Sequence, residues 1–111
     1  MEKQIDIDIV QHNAVEAAKL LKVLSHGIRL LVLCTLGKEE KHIKELPNLL
    51  GLSQAKLSQH LACLRQQKMV TARKENNMVF YSLAEHPAQE LLRVLCRVCE
   101  QTESEKGRSR A

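Results

Sequence analysis

The amino-acid sequence predicts a mainly α-helical domain with one β-hairpin, arranged as a winged helix-turn-helix. Apolar residues recur with helical spacing in four successive segments between residues 10 and 66. Gly51 and Ser53 lie between the third and fourth segments, where a left-handed C-cap and a helix N-cap make a tight turn. Two asparagines, Asn76 and Asn77, then precede an alternating apolar segment, which is typical of a two-residue hairpin. These signals predict two helices joined by a turn and followed by a wing.

Four helices, two strands and a final helix are predicted in that order. The first helix covers Val10–Val23, and the second is capped by Ser25 and ends at Gly37. The third helix covers His42–Leu50, and the fourth is capped by Ser53. The strands cover Lys68–Lys74 and Met78–Leu83, and the last helix begins at His86 and Pro87. The second helix is apolar almost all round, so we expect it to be central and buried. We expect one domain at residues 10–101, between a flexible arm at 1–9 and a disordered tail at 102–111.

Composition narrows the classes of function. A chain of 111 residues with 44% hydrophobic and 27% charged residues makes one small domain with modest burial, so we expect a homodimer. Aromatic residues are only 2%, which argues against the stacking platforms that bind single-stranded nucleic acid. We find no catalytic constellation and no glycine-rich phosphate loop, so we expect neither an enzyme nor a cofactor. With no bilayer-length apolar run and no signal-peptide core, we expect a cytoplasmic protein with no membrane partner.

The positive charge is concentrated around the predicted fourth helix and hairpin. The whole chain has a formal net charge of +4. Between residues 53 and 77, five basic residues oppose the single acidic residue Glu75. Such a basic stretch favours a polyanionic partner, and next to a helix-turn-helix that partner is double-stranded DNA.

The predicted fourth helix has a small polar face opposite its core leucines. A helical wheel turns Leu57, Leu61 and Leu64 inward and leaves alanine, serine and glutamine outside. Small residues allow close approach to base edges, glutamine pairs with adenine, and lysine or arginine contacts phosphates. The candidate DNA-binding residues of the helix and hairpin are Ser53, Gln54, Ala55, Lys56, Ser58, Gln59, Ala62, Arg65, Lys68, Arg73, Lys74, Asn76 and Asn77.

Several segments closely resemble the ArsR (SmtB-like) family of bacterial repressors. The matching residues are Leu52–Arg65, Arg73–Glu75 and Val79–Leu83, and Leu24–Arg29 resembles the opening of the family's second helix. The resemblance extends over about Ala17–Glu100. It implies a homodimeric transcription repressor whose first and last helices form the dimer interface. It also implies that the two fourth helices enter successive major grooves of an inverted-repeat operator.

The cysteine pattern is similar to that of the BigR/HlyU/SqrR branch of this family. That branch senses reactive sulfur species or oxidants through a dithiol, with one cysteine in the second helix and one in the last. The resemblance implies that Cys34 supplies the first thiol, and Cys96 and Cys99 are both candidates for the second. A wheel centred on Leu91 places Cys99 nearer the apolar stripe than Cys96. We therefore predict that coupling Cys34 to Cys99 releases DNA, with Cys96 the less favoured partner and Cys63 incidental.

Two alternatives remain open from the residues. The Cys96-x-x-Cys99 spacing suits a soft cation, and Cys34 would add a third sulfur ligand for a thiophilic metal or metalloid. The chain would then be a metal-responsive repressor. A winged helix also serves as a protein-interaction module, in which case the basic stretch is only solvated surface. Steep weakening of binding with salt would distinguish duplex DNA from an apolar protein interface.

Overall fold

Five helices and three short strands make up the part of the chain that the computed structural model describes, residues 4–110, with side chains as far as Gln101. The helices are α1 (Ile7–Leu24), α2 (Gly27–Lys38), α3 (Leu46–Leu50), α4 (Gln54–Gln66) and α5 (Ala88–Arg110). The strands are β1 (Lys41–His42), β2 (Val70–Glu75) and β3 (Met78–Leu83). The mainly helical architecture with a β-hairpin wing is as the sequence predicts.

The turn between α3 and α4 forms as its capping residues predict. Gly51 has φ 67° and ψ 36°, and its N–H donates to the carbonyl oxygen of Pro47. Glycine adopts this left-handed conformation without the steric cost that a Cβ would add. The Oγ of Ser53 accepts a hydrogen bond from the backbone N–H of Lys56 at 3.2 Å, which caps α4. The two helices of the helix-turn-helix are therefore joined by locally satisfied backbone groups.

Both ends of α2 differ from the prediction. His26, not Ser25, is the N-cap, because its Nδ1 accepts from the N–H of Ile28 at 3.3 Å. The Oγ of Ser25 instead donates to the carbonyl oxygen of Lys22 at 2.9 Å, at the end of α1. Gly37 lies inside α2, which runs on to Lys38.

The hairpin is confirmed, and an unpredicted strand joins it. β2 and β3 pair antiparallel from Val70 opposite Leu83 to Glu75 opposite Met78, and Asn76 (φ 51°) and Asn77 (φ 65°) make the turn. β1 pairs antiparallel with β3 in the sheet order β1-β3-β2. The predicted third helix therefore begins too early, since His42 belongs to β1 and α3 starts at Leu46. The first hairpin strand also starts later than predicted, because Lys68 has a positive φ of 61°.

The first and last helices are longer than predicted. Oδ1 of Asp6 accepts from the N–H groups of Asp8 at 3.0 Å and Ile9 at 3.3 Å, so α1 begins at Ile7, inside the expected arm. Residues 1–3 of that arm lie outside the described residues. α5 continues to Arg110, through most of the segment expected to be a disordered tail, and Ala111 lies outside the described residues.

The core is built mainly from α2 and α4. Its fully buried side chains are Val32, Leu33, Leu46, Leu57, Leu61 and Leu64. Each such leucine contributes about 1.5–3 kcal/mol relative to an exposed one. The three leucines of α4 thus fix which face of that helix points outward, as the wheel predicts.

Most of α1 is left on the surface. Only Val23 and Leu24 at its C-terminal end are buried, whereas Val10 and Leu21 are 48% and 54% exposed. The apolar stripe of α1 is therefore uncovered within one copy of the chain.

Among the described residues no single helix is long and apolar enough to cross a bilayer, and α1 and α2 meet that criterion only as a pair bent by 87°.

Candidate functional site

The outer face of α4 gathers most of the predicted DNA contacts. Its exposed members are Gln54, Ala55, Lys56, Ser58, Gln59, Ala62 and Arg65, and the capping residue Ser53 is also exposed. They lie opposite three fully buried leucines of the same helix. The surface they form is small and polar, with a positive charge toward each end, and no acidic residue lies within α4.

The wing adds a second basic and polar surface. Lys74, Asn76 and Asn77 are exposed at the tip of the hairpin, and Lys68 is exposed where the chain leaves α4 for β2. The positive φ angles of the two asparagines turn the chain back on itself between paired strands. The sheet thus holds the tip residues away from the core.

The guanidinium of Arg73 is paired with two carboxylates and packs on an aromatic ring. Its guanidinium donates from Nε and Nη2 to the two carboxylate oxygens of Glu40, both at 2.8 Å, and it also donates to Glu75. It lies over the ring of Phe80, 4.6 Å from the centroid. The hydrogen bonds to Glu40 and Glu75 raise the pKa of Arg73 further, and the hydrogen bond from Arg73 lowers the pKa of Glu40. Arg73 ties the wing to the segment before β1 and has little free charge to offer.

A cluster of two histidines and an arginine connects α1, α2 and α4. Arg29 donates from Nε to Nδ1 of His60 at 3.3 Å and from Nη1 to the carbonyl oxygen of Val23 at 3.3 Å. The rings of His26 and His60 have centroids 4.6 Å apart. Burial, followed by the nearby charges of His26, Arg29 and Lys56, lowers the pKa of His60. The sequence does not single out this cluster, because its members become neighbours only when α2 packs on α4.

Cys34 of α2 is joined by a disulfide to Cys96 of α5, with Cα atoms 5.9 Å apart. This separation is within the range that a disulfide spans without backbone distortion. The prediction of Cys99 as the partner is therefore wrong for this structure, in which Cys99 is free and exposed.

The prediction fails because α5 packs through the face of Leu92 and not through that of Leu91. Leu92 is buried, at 4% exposure, whereas Leu91, the residue used to centre the wheel, is 39% exposed. With Leu92 at the centre, Cys96 lies about 40° to one side and Cys99 about 20° to the other, so both are on the buried side of α5. They also differ in height along the axis, by about 4.5 Å. Cys96 lies level with Cys34.

An open groove of about 930 Å³ lies beside the disulfide, and we call it the α2–α5 groove. Its walls include Leu30, Leu31, Leu50, Cys34, Cys96 and Cys99, so all three sulfur-bearing residues face the same space. A smaller cavity of about 320 Å³ also contacts Cys34 and Cys96, together with Arg93 and Arg97. Small molecules therefore have access to the disulfide from either cavity. Cys63, the fourth cysteine, is free, half-buried on α4 and absent from both linings.

The three cysteines do not form a metal site in this structure. Cys34 and Cys96 are bonded to each other, which leaves Cys99 as the free sulfur of the three. Among the described residues, no group of three or more histidine, cysteine, aspartate or glutamate side chains is placed to hold a metal ion.

The chain resembles known bacterial regulators in both sequence and structure. The profile of the family described as bacterial regulatory protein, arsR family, matches residues 26–72. The biofilm growth-associated repressor of Xylella fastidiosa is 40% identical over 86 residues, which cover 78% of this chain and 75% of that protein. This chain belongs to the ArsR family.

Solved structures of related regulators share the fold of this ArsR-family protein. The transcriptional repressor BigR from Xylella fastidiosa superposes with a TM-score of 0.78 at 37% identity, covering 86% of this chain and 96% of BigR. Reduced HlyU from Vibrio cholerae superposes with a TM-score of 0.74 at 39% identity, covering 80% of this chain and 94% of HlyU. The winged helix-turn-helix is thus shown independently of the sequence patterns.

The family profile covers only part of the site in this ArsR-family protein. Residues 26–72 include α2 with Cys34, the whole of α4 and the start of β2. They exclude the tip of the wing and α5 with Cys96. The disulfide therefore connects α2, which the profile covers, to α5, which lies outside it.

Proposed function

We propose that this ArsR-family chain is a homodimeric transcriptional repressor whose hold on double-stranded DNA is set by the oxidation state of Cys34 and Cys96. The observation that carries the proposal is the disulfide between α2 and α5. α2 also contacts α4, the helix with the exposed polar face. A chemical change at the sulfurs therefore acts on an element that supports the DNA-binding surface.

Base readout is assigned to the N-terminal half of α4. Gln54 and Gln59 are exposed and carry the amide groups that pair with adenine, and Ala55 leaves room for the backbone to approach base edges. Lys56 and Arg65 flank them and would contact phosphates. Ser53, Ser58 and Ala62 complete this surface.

The wing supplies contacts beside the groove that α4 enters. Lys68 and Lys74 would bind phosphates, and Asn76 and Asn77 at the tip would reach the backbone or the adjacent minor groove. For Arg73 we propose a positioning role in place of a DNA contact, because Glu40 and Glu75 accept hydrogen bonds from its guanidinium. It would keep the wing at the correct angle.

A second copy of the chain would cover the apolar surfaces of α1 and α5. Val10 and Leu21 on α1 and Leu91 and Val94 on α5 are exposed large apolar side chains. Burying such surfaces in a symmetric dimer would stabilise a small domain. Two copies related by a two-fold axis would present two α4 helices to an inverted-repeat operator.

Reactive sulfur species or an oxidant would act at the α2–α5 groove. The thiols of Cys34 and Cys96 lose two protons and two electrons when the disulfide forms, and an organic polysulfide accepts them as one of its S–S bonds breaks to leave a thiol and a persulfide. The bond would fix α2 against α5 and change the pose of α4. A coupling free energy of about 1.4 kcal/mol is enough to weaken DNA binding tenfold.

The test begins with the operator. The reduced protein selects its preferred sequence from a random duplex library, and fluorescence anisotropy measures the affinity before and after treatment with an organic polysulfide. We expect strong, salt-dependent binding by the reduced protein and at least tenfold weaker binding once the disulfide forms. Cys34→Ser should bind DNA but not respond, whereas Cys99→Ser should respond like the wild type.

Two outcomes would contradict the proposal. Equal affinity of the reduced protein and of protein shown by mass to be fully oxidised would remove the switch. A library from which no duplex is enriched at low salt would remove DNA binding itself and favour a protein-interaction role.

A further inference from the structure

A third sulfur shares the groove with the disulfide. Cys99 is free and exposed, and it lines the α2–α5 groove with Cys34 and Cys96. It follows Cys96 by three residues on α5, so helix geometry places their Cα atoms about 5 Å apart. Because α5 packs through the face of Leu92, both cysteines lie on the side of α5 that borders the groove with α2. A potential nucleophile therefore lies one helical turn from an electrophilic disulfide.

We propose that Cys34 has two disulfide partners and that the bond moves from Cys96 to Cys99 by thiol–disulfide exchange. The proposal rests on the thiol-based function proposed above. The thiolate of Cys99 attacks Sγ of Cys34, and a new bond forms between these two sulfur atoms. The bond between Cys34 and Cys96 breaks, and its electron pair leaves on Cys96, which takes up the proton released by Cys99. No external oxidant or reductant is consumed.

Helix geometry selects Cys34 as the sulfur that is attacked. Attack on Cys96 would join two residues three apart in the same helix, whose Cβ atoms are about 5–6 Å apart. A disulfide requires a Cβ separation of about 3.5–4.5 Å, so that product would distort α5. Cys34 lies across the groove on another helix, so its bond to Cys99 would join two helices and would require them to shift against each other until the two Cβ atoms come within that range.

The exchange gives the oxidised protein two forms. Both join α2 to α5, but the second bond is about 4.5 Å further along α5. Cys96, which also contacts the smaller cavity, becomes a free thiol in the second form. The oxidised state thus retains a reactive thiol in either form, at a different place on α5.

Tryptic peptides distinguish every possible pairing. Cleavage at basic residues places Cys34 in peptide 30–38, Cys96 in 94–97 and Cys99 in 98–106, because Arg97 separates the last two. The full-length protein is oxidised and held in acid, where thiolates are protonated and exchange stops. It is then brought to mildly alkaline pH without oxidant, and samples are quenched with acid and N-ethylmaleimide.

We expect the pair 30–38/98–106 to rise from zero while 30–38/94–97 falls and their sum stays constant. The matched control Cys63→Ser should behave identically, since Cys63 lines neither cavity. Cys96→Ser should form the Cys34–Cys99 bond directly on oxidation.

Separate outcomes test the two proposals. Persistence of 30–38/94–97 alone, with 98–106 fully alkylated, would overturn the exchange and leave the proposed function intact. A pair 94–97/98–106 would also overturn it, because the bond would then lie within α5. Absence of any linked peptide containing Cys34 after oxidation would instead remove the thiol-based function.

Discussion

Closing the disulfide should make the folded protein markedly more stable. The two bonded cysteines are separated by 62 residues in sequence, so the bond closes a large loop in the unfolded chain. The chain-entropy relation for a loop of this length gives about 4 kcal/mol at room temperature. The Cα separation of 5.9 Å is within the ordinary range, so the native state needs no distortion that would offset this gain.

Urea unfolding followed by far-ultraviolet circular dichroism measures this difference. The oxidised and reduced proteins are compared at one protein concentration, because the proposed dimerisation would make the midpoint concentration-dependent. For urea slopes of about 1–3 kcal/mol per molar, about 4 kcal/mol corresponds to a midpoint shift of about 1.3–4 M. Cys34→Ser treated with the same oxidant is the matched control, and its midpoint should not move.

Coincident unfolding curves for the reduced and oxidised wild-type protein would refute the reasoning. They would mean that the unfolded chain gains no constraint from the bond, or that strain in the folded state cancels the gain. A large shift in Cys34→Ser would show that the oxidant stabilises the protein by some other route.

Three further predictions concern α4 and its N-cap. Burial and nearby positive charge lower the pKa of His60 in the folded protein, so His60 binds a proton more readily in the unfolded chain. The free energy of unfolding should therefore fall as pH drops below about 6.5. Unfolding between about pH 7 and pH 5 should show less pH dependence in His60→Gln than in the surface control His12→Gln. Ser53→Ala should lower the free energy of unfolding by about 1 kcal/mol in urea titrations, since it removes the N-cap of α4. Lys56→Ala should reduce the salt slope of DNA binding by about one, whereas Gln59→Ala should change the selected sequence and leave the slope unchanged. Equal salt slopes for these two variants would reject their assigned roles.

Local signals account for the parts of the fold that the sequence predicts well. The turn before α4 depends on Gly51 and Ser53, whose conformations are set by neighbours within four residues. The wing turn likewise depends on two adjacent asparagines that tolerate positive φ. Leu57, Leu61 and Leu64 orient α4 because their spacing matches one helical face. Each of these features is decided within a few residues of the chain.

Long-range pairing explains the features that the sequence does not predict. β1 is only two residues long and exists because it pairs with β3, about forty positions later. Arg73 donates to Glu40 at a sequence separation of 33, so a basic residue that the sequence predicts to contact phosphate is already paired with a carboxylate. His60 meets Arg29 at a separation of 31. Neither of these two residue pairs produces a periodic pattern or a motif in the sequence.

The cysteine partner of Cys34 could not be predicted from the sequence for a different reason. A helical wheel reports angle about the axis, and it places Cys96 and Cys99 on nearly the same face once Leu92 is recognised as the buried residue. Which of them meets Cys34 depends on height along α5, and that height is set by how α2 packs against α5. Such packing is a tertiary property, and only the structure supplies it.

α2 connects the disulfide directly to α4. Cys34 and Arg29 lie on this one helix, about 7.5 Å apart along its axis. Cys34 is bonded to Cys96 of α5, and Arg29 donates to His60 of α4. A helix transmits displacement along its axis with little loss, so movement of α2 at the disulfide also moves the Arg29 guanidinium. The 3.3 Å hydrogen bond to His60 is already long, and a small shift would break it. The proposed switch therefore needs no relay through loops, because one rigid element contacts both the bonded sulfur and the helix that would read DNA.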